Sequence, residues 1–312
     1  MKIEAHYLKA RNLFRVYSFL VDLTLIIFTS LILVTIGFLI LNNASFYINA
    51  NSDIKEIRLN SKLYIEDDEN VLPYSEYIES LDEPITSKNE LIDEVLTYFY
   101  KEYLGDIDIY NDLKLDKVID NTHLFIEVND EVLVNENSGI SSAEYYNFYI
   151  DTLNNNAIGY LFSNYEFIRA SRTILISIFI NILISIIISS LIYYMIIPLL
   201  SFTNHSTIGM KIFKIGYINS DALTIKTYKY FLISLFNFFI MDLLSLFTLF
   251  IPLIISFSFF LFRKDSKSLT DYLFNVNKIN IEKGKIFKTI GEYVHYKNIE
   301  SKKFLDSDSP LN

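Results

Sequence analysis

Arg15 and Asp22 stand seven residues apart at the mouth of an apolar run, "FRVYSFLVDLTLIIFTSLILVTIGFLIL", that holds no other charge. A carboxylate among lipid-facing residues costs up to about 3 kcal/mol unless it finds a partner or water. Asp22 therefore has two readings: it bonds a neighbouring helix, or it carries an ion or proton. On a helix the two residues share one face, two turns and roughly 10 Å apart. That is too far for a tight bond between rigid side chains, although Arg15 can reach toward Asp22. Asn181 and Asp242 lie inside later apolar runs and read as deeper polar stations. Other chemistries lack their residues. There is no HExxH, GxSxG, Walker lysine loop or GxGxxG. The four histidines, at 6, 123, 205 and 295, have no metal-ligand spacing. No cysteine is present to serve as thiolate or disulfide. We expect a protein that is not an enzyme and uses neither metal nor cofactor.

Three apolar runs must position these residues: 16–41, 173–200 and 230–262. About 20 apolar residues cross a bilayer, so each is long enough. The first is too long for a signal-peptide core and lacks a small-residue cleavage site, which makes it an uncleaved helix. As one helix the third run would extend roughly 50 Å, too long for one upright span. It reads as a hairpin with "NFFIMDLLS" near its tip, Pro252 in the returning limb, and Asn237 and Asp242 deep; the alternative is one strongly tilted helix with the tail outside. The expected fold is an α-helical integral membrane protein of three or four transmembrane helices with an inserted α+β extracytoplasmic domain.

Charge orients it. Residues 43–168 carry 26 Asp/Glu against seven Lys/Arg, while the rest of the chain carries 20 Lys/Arg against 11 acids. Basic residues favour the cytoplasmic side of a membrane. The expected segments are a cytoplasmic N-terminus and first helix (1–42), an acidic extracytoplasmic domain (43–170), a second helix (171–200), a cytoplasmic loop (201–229), the membrane hairpin (230–262) and a cytoplasmic tail (263–312). Both termini then face the cytoplasm. No nucleic-acid partner is expected, since the basic tail reads more simply as a cytoplasmic helix near anionic lipid. Within the acidic domain, Ser87 and Glu90 have the spacing of a capping box, and "HLFIEVNDEVLV" alternates about Asn129-Asp130 as a hairpin. "DIDIYNDLKLD" fails the calcium-loop pattern at its fifth and sixth positions, Tyr110 and Asn111, and reads as solvated acidic surface.

The chain resembles the RDD family of bacterial multipass membrane proteins, named for one arginine and two aspartates. Arg15 and Asp22 in "FRVYSFLVDL" match the pair in that family's first helix. Thr207, Ile208, Gly209 and Lys211 in "NHSTIGMKIFKIGYIN" match its Gly-x-Thr-Leu-Gly-Lys loop. Asp271 in "FRKDSKSLTDYLFNVNKI" stands at its second aspartate. Departures are His205 or Ser206 for the leading glycine, Met210 for a lysine, and Lys229 nearest to an arginine expected before the last run. The resemblance covers two blocks, with the acidic domain outside them. It implies residence in the bacterial cell membrane, with the motif residues meeting at the cytoplasmic face. There Arg15, Lys211, Lys214 and Arg263 would compensate the two aspartates. It also loosely implies transport of an ion or small solute, with Asp22 as carrier. The alternative is a non-transporting sensor, assembly factor or partner-binding component, motivated by the acidic domain and a possible protein partner for it.

Overall fold

Buried positions in the first helix, Asn12–Leu41, are Ser18, Asp22, Ile26 and Ser30, one turn apart along a single stripe. The opposite side exposes Phe28, Leu31 and Leu39. A soluble helix buries its apolar side; here small and polar residues face inward and apolar ones outward, the arrangement of a helix solvated by lipid. The second long helix, Tyr165–Leu200, repeats it, with Ser185, Ser189 and Ser190 buried. Both helices have a mean hydropathy of 2.7 over their most apolar windows. The structure, a computed structural model, describes residues 8–67, 70–129, 131–200, 205–282 and 286–307. The chain divides into a helical unit, residues 1–38 with 180–312, and a second unit, residues 39–179.

In the helical unit the third apolar run leaves as Thr227–Phe236, passes through a π-helical stretch at Asn237–Leu243 and ends at Phe247. It reverses at residues 248–250 and returns as Ile251–Phe262. Leu249 and Phe250 take positive φ at the reversal. The reversal thus begins three residues beyond "NFFIMDLLS", which the sequence set near the tip. That stretch holds no glycine or proline to stop a helix, and the chain turns only where Pro252 opens a new one. Asn237 is likewise not at the deep end of the hairpin but beside the residues that follow it.

Two short segments fold alike. "STIGMKIFKIGYIN" (206–219) gives a helix Ile208–Ile212 capped by Thr207, then a strand Ile215–Asn219. "KSLTDYLFNVNKIN" (267–280) gives a helix Leu269–Leu273 capped by Ser268, then a strand Val276–Asn280. An offset of 61 residues carries every feature of the first onto the second. It takes the positive-φ residues His205 and Lys214 to Ser266 and Asn275. The strands pair antiparallel about their common centre, Tyr217 opposite Lys278. The helices obey a second offset, 215 residues, taking the start at Asn12 to Thr227 and the Lys9–Ile279 bridge to the Thr224–Ile218 bridge. The unit is therefore built twice around an approximate two-fold. Each half is a helical hairpin followed by cap, short helix and strand. Ala10, Met210, Ile215, Tyr217, Ile225, Tyr230, Ile233 and Val276 form the core under the strands.

The second unit, residues 39–179, combines helices with three two-stranded antiparallel sheets. Its core is Leu63, Ile78, Ile92, Leu96, Phe99, Tyr100, Tyr110, Leu124, Phe125, Leu153 and Leu161, all essentially inaccessible. Each aliphatic or Phe side chain so buried contributes about 1.5–3 kcal/mol, which serves in place of disulfides. Asn129, at positive φ, turns the pair Phe125–Val128 and Glu131–Val134. Ser87 does not cap a helix. The helix Ile85–Tyr98 begins two residues earlier, after Pro84, and Ser87 lies in its first turn. "DIDIYNDLKLD" forms the helix Asp108–Leu115 rather than a loop. Its Tyr110 is buried and donates to Asp93 Oδ1 at 2.6 Å, and Asp93 also pairs with Lys114 at 2.7 Å.

Candidate functional site

Thr207 begins its short helix by accepting the Met210 N–H on its hydroxyl oxygen, 3.2 Å. The same hydroxyl donates to Asp22 Oδ2 at 2.6 Å, and the Gly209 N–H donates to Asp22 Oδ1 at 2.8 Å. Asp22 is 3% exposed. Both of its oxygens are thereby engaged where a helix presents unpaired N–H groups and its positive end. Gly209 is required for this approach, since a Cβ there would stand 2.1 Å from the Ser18 carbonyl oxygen and 3.0 Å from Asp22 Cγ. The Asp22 junction is buried, with both oxygens bonded.

Asp271, which stands where the first half has Met210, is held differently. It belongs to the short helix itself and forms a capping box with Ser268. Arg15 crosses from the first helix: one guanidinium nitrogen meets Asp271 Oδ2 at 2.8 Å, another donates to the Ser266 carbonyl, and the plane lies 4.8 Å from the Phe260 ring. Lys278 approaches Asp271 Oδ1 at 3.6 Å and lies over Tyr217. Burial pushes the Lys278 ammonium below its usual 10.5, and the Asp271 carboxylate acts against that shift. Tyr217, buried beneath, is pushed above the ordinary phenol range.

The expected meeting of Arg15 with Asp22 does not occur. Asp22 is satisfied by neutral donors, and Arg15 is committed to Asp271. The other expected compensating cations also lie elsewhere. Lys211 is exposed, Lys214 pairs with Glu282, and Arg263 pairs with Asp265. The cation that sequence reasoning missed is Lys278. Its signal was the 61-residue echo, which sets it opposite Tyr217.

Asn181 is a contact between helices rather than a station for solute. Its amide donates to the Val34 carbonyl at 3.1 Å and fills the space that Gly37 leaves. The Asp242 side chain lies outside the described residues; its backbone is in the π-helical stretch. Asn237, 215 residues after Asp22, accepts from Thr270 Oγ1 at 2.8 Å, so each half ties its first helix to its capped helix with one polar residue. Among the described residues no group of His, Asp or Glu could hold a metal ion.

A model of the RDD family matches residues 146–275. That stretch includes the second long helix, the Thr207–Lys211 segment, the hairpin and Asp271, and bears out the resemblance read from the sequence. No curated protein and no solved structure matches the chain. RDD is a membrane family, and that match together with two strongly apolar helices points to a membrane protein.

Proposed function

We propose that this RDD-like membrane protein is a non-transporting component of the bacterial cell membrane. In this reading it is a multipass anchor with both termini cytoplasmic, and it presents residues 43–170 outside to a basic protein partner. One observation carries it. Asp22, the carboxylate that a carrier would have to load and unload, has both oxygens bonded and almost no exposure. Such a carboxylate holds two helices together, and releasing it costs the bonds that it makes. The excess of 26 acids over seven bases between residues 43 and 168 supports a cationic partner, steered by field rather than by one contact.

Reconstitution tests the reading. Vesicles containing the protein should dissipate proton and alkali-cation gradients no faster than empty ones, and Asp22→Asn should lower abundance without changing flux per molecule. Gradient dissipation by the wild type that Asp22→Asn abolishes would establish transport and overturn the proposal. Removing residues 43–168 should abolish capture of the cellular partner, while capture that survives the deletion would place the partner surface elsewhere.

A further inference from the structure

Beside the Arg15–Asp271 pair lies a cavity of about 100 Å³. One water needs only ~10–15 Å³ on this measure, so a tetrahedral oxyanion has room. Lys9, Arg15, Lys264, Lys267 and Lys278 line it, against two carboxylates, Asp265 and Asp271. Neither carboxylate neutralises the free lysines. Asp271 is shared by Arg15 and Lys278, and Asp265 is held by Arg263, which does not line the cavity. Among the described residues Lys9, Lys264 and Lys267 have no carboxylate within ion-pair distance. The Arg15 side chain is nine-tenths buried, and its Nε–H has no acceptor among the described residues.

The approximate two-fold supplies an internal control. Under the two offsets Lys9, Arg15, Lys267 and Lys278 correspond to Thr224, Tyr230, Ser206 and Tyr217. Not one counterpart is charged. The uncharged counterpart, built from both halves as the charged cluster is, keeps the same strand pairing and the same capped helix, and there Tyr230 stacks on His205 where Arg15 meets Ser266. The backbone therefore does not demand four cations at these places. Their concentration around one cavity, with a guanidinium N–H to spare, is what a phosphate group requires.

We propose that this cavity binds a phosphate group, contributed either by the headgroup of an anionic lipid or by free phosphate. The apolar helix Ile251–Phe262 ends two residues before Lys264, so the lysines begin where a headgroup would lie. Arg15 and Lys278 supply fixed charge at the back of the cavity, and Lys9, Lys264 and Lys267 close over the oxygens.

The full chain, purified in detergent, is tested with phosphatidylglycerol, followed by native mass spectrometry, and with inorganic phosphate, followed by calorimetry. Binding should weaken about tenfold or more in Lys9→Gln/Lys264→Gln/Lys267→Gln, given ~1 kcal/mol per lysine. It should stay within about twofold in Lys211→Gln/Lys226→Gln/Lys229→Gln, which removes equal charge elsewhere on the unit. Lys264→Glu, a single exposed change, serves if the triple variant misfolds. Phosphatidylglycerol that is retained and displaced by phosphate supports the site with a lipid source; phosphate bound without lipid retention supports it with a free one. Absence of both, or equal weakening in the two triple variants, overturns the proposal.

Discussion

Gly209→Ala should damage the helical unit far more than its single methyl suggests. The new Cβ would stand 2.1 Å from the Ser18 carbonyl oxygen, against a comfortable C···O separation of about 3.3 Å. The obstacle is backbone, so the first helix and the capped helix must part by more than an ångström. Overpacking of this kind costs about 1–3 kcal/mol. Separation also breaks or stretches the 2.8 Å bond from Gly209 N–H to Asp22, and a hydrogen bond to a charged group contributes about 1.5–3 kcal/mol. The sum is about 2.5–6 kcal/mol, which at 2–4 °C per kcal/mol for a unit of this size lowers its melting temperature by roughly 5–24 °C. Thermal unfolding in detergent by far-ultraviolet circular dichroism reads the shift. Gly159→Ala is the control, because nothing lies within 4 Å of its Cβ and it should be neutral or slightly stabilising. A Gly209→Ala protein within 0.5 kcal/mol of wild type, or indistinguishable from the control, would refute the close approach.

Arg15→Gln strands Asp271, 1% exposed, and should destabilise by about 3–5 kcal/mol; Arg15→Lys should recover only part, having one ammonium for the two acceptors that the guanidinium spans. Gly37→Ala puts a Cβ 1.7 Å from Asn181 Oδ1, so it should destabilise alone and be largely rescued by Asn181→Ala, a double-mutant cycle with a coupling of at least about 1 kcal/mol. Burial raises Tyr100, Tyr110 and Tyr149 above the usual value of 10, so the folded second unit holds these protons more tightly than its unfolded chain. That stabilisation is complete below pH 10 and is lost as pH climbs toward the folded values. Alkaline unfolding followed by tyrosinate absorbance should begin above pH 10, and Tyr110→Phe should reduce its steepness.

Much of this was legible in sequence. The three apolar runs became helices because runs of that length have no other way to satisfy their backbone in lipid. The Thr207–Lys211 segment and Asp271 were found through their residue types. The partners were not. Asp22 bonds Thr207 across 185 residues, and helical periodicity, which names a face, says nothing about what meets it. Arg15 was expected to serve both aspartates and serves only Asp271, because residues seven apart share a face whether or not they touch. Ser87 and Glu90 misled because their three-residue spacing arises by chance in a polar first turn. The hairpin tip was placed on its polar residues, whereas proline and positive φ decided it. Lys278 was hidden in plain alternation, and only comparison of "STIGMKIFKIGYIN" with "KSLTDYLFNVNKIN" would have exposed it.

The doubling has a consequence for what charge does in this protein. One of the two equivalent junctions between the halves stands on Tyr230, His205, Met210 and Tyr217, while its twin uses Arg15, Ser266, Asp271 and Lys278 at the same stations. Ionic cement is thus optional to the scaffold, and a buried ionic cluster can often be exchanged for packed uncharged side chains at little or no loss. Arg15→Tyr, Asp271→Met and Lys278→Tyr introduced together should yield a unit that still melts cooperatively near the wild-type temperature, even though Arg15→Gln alone is costly. Whatever that neutral molecule could no longer do would be the task for which one twin stayed electrified.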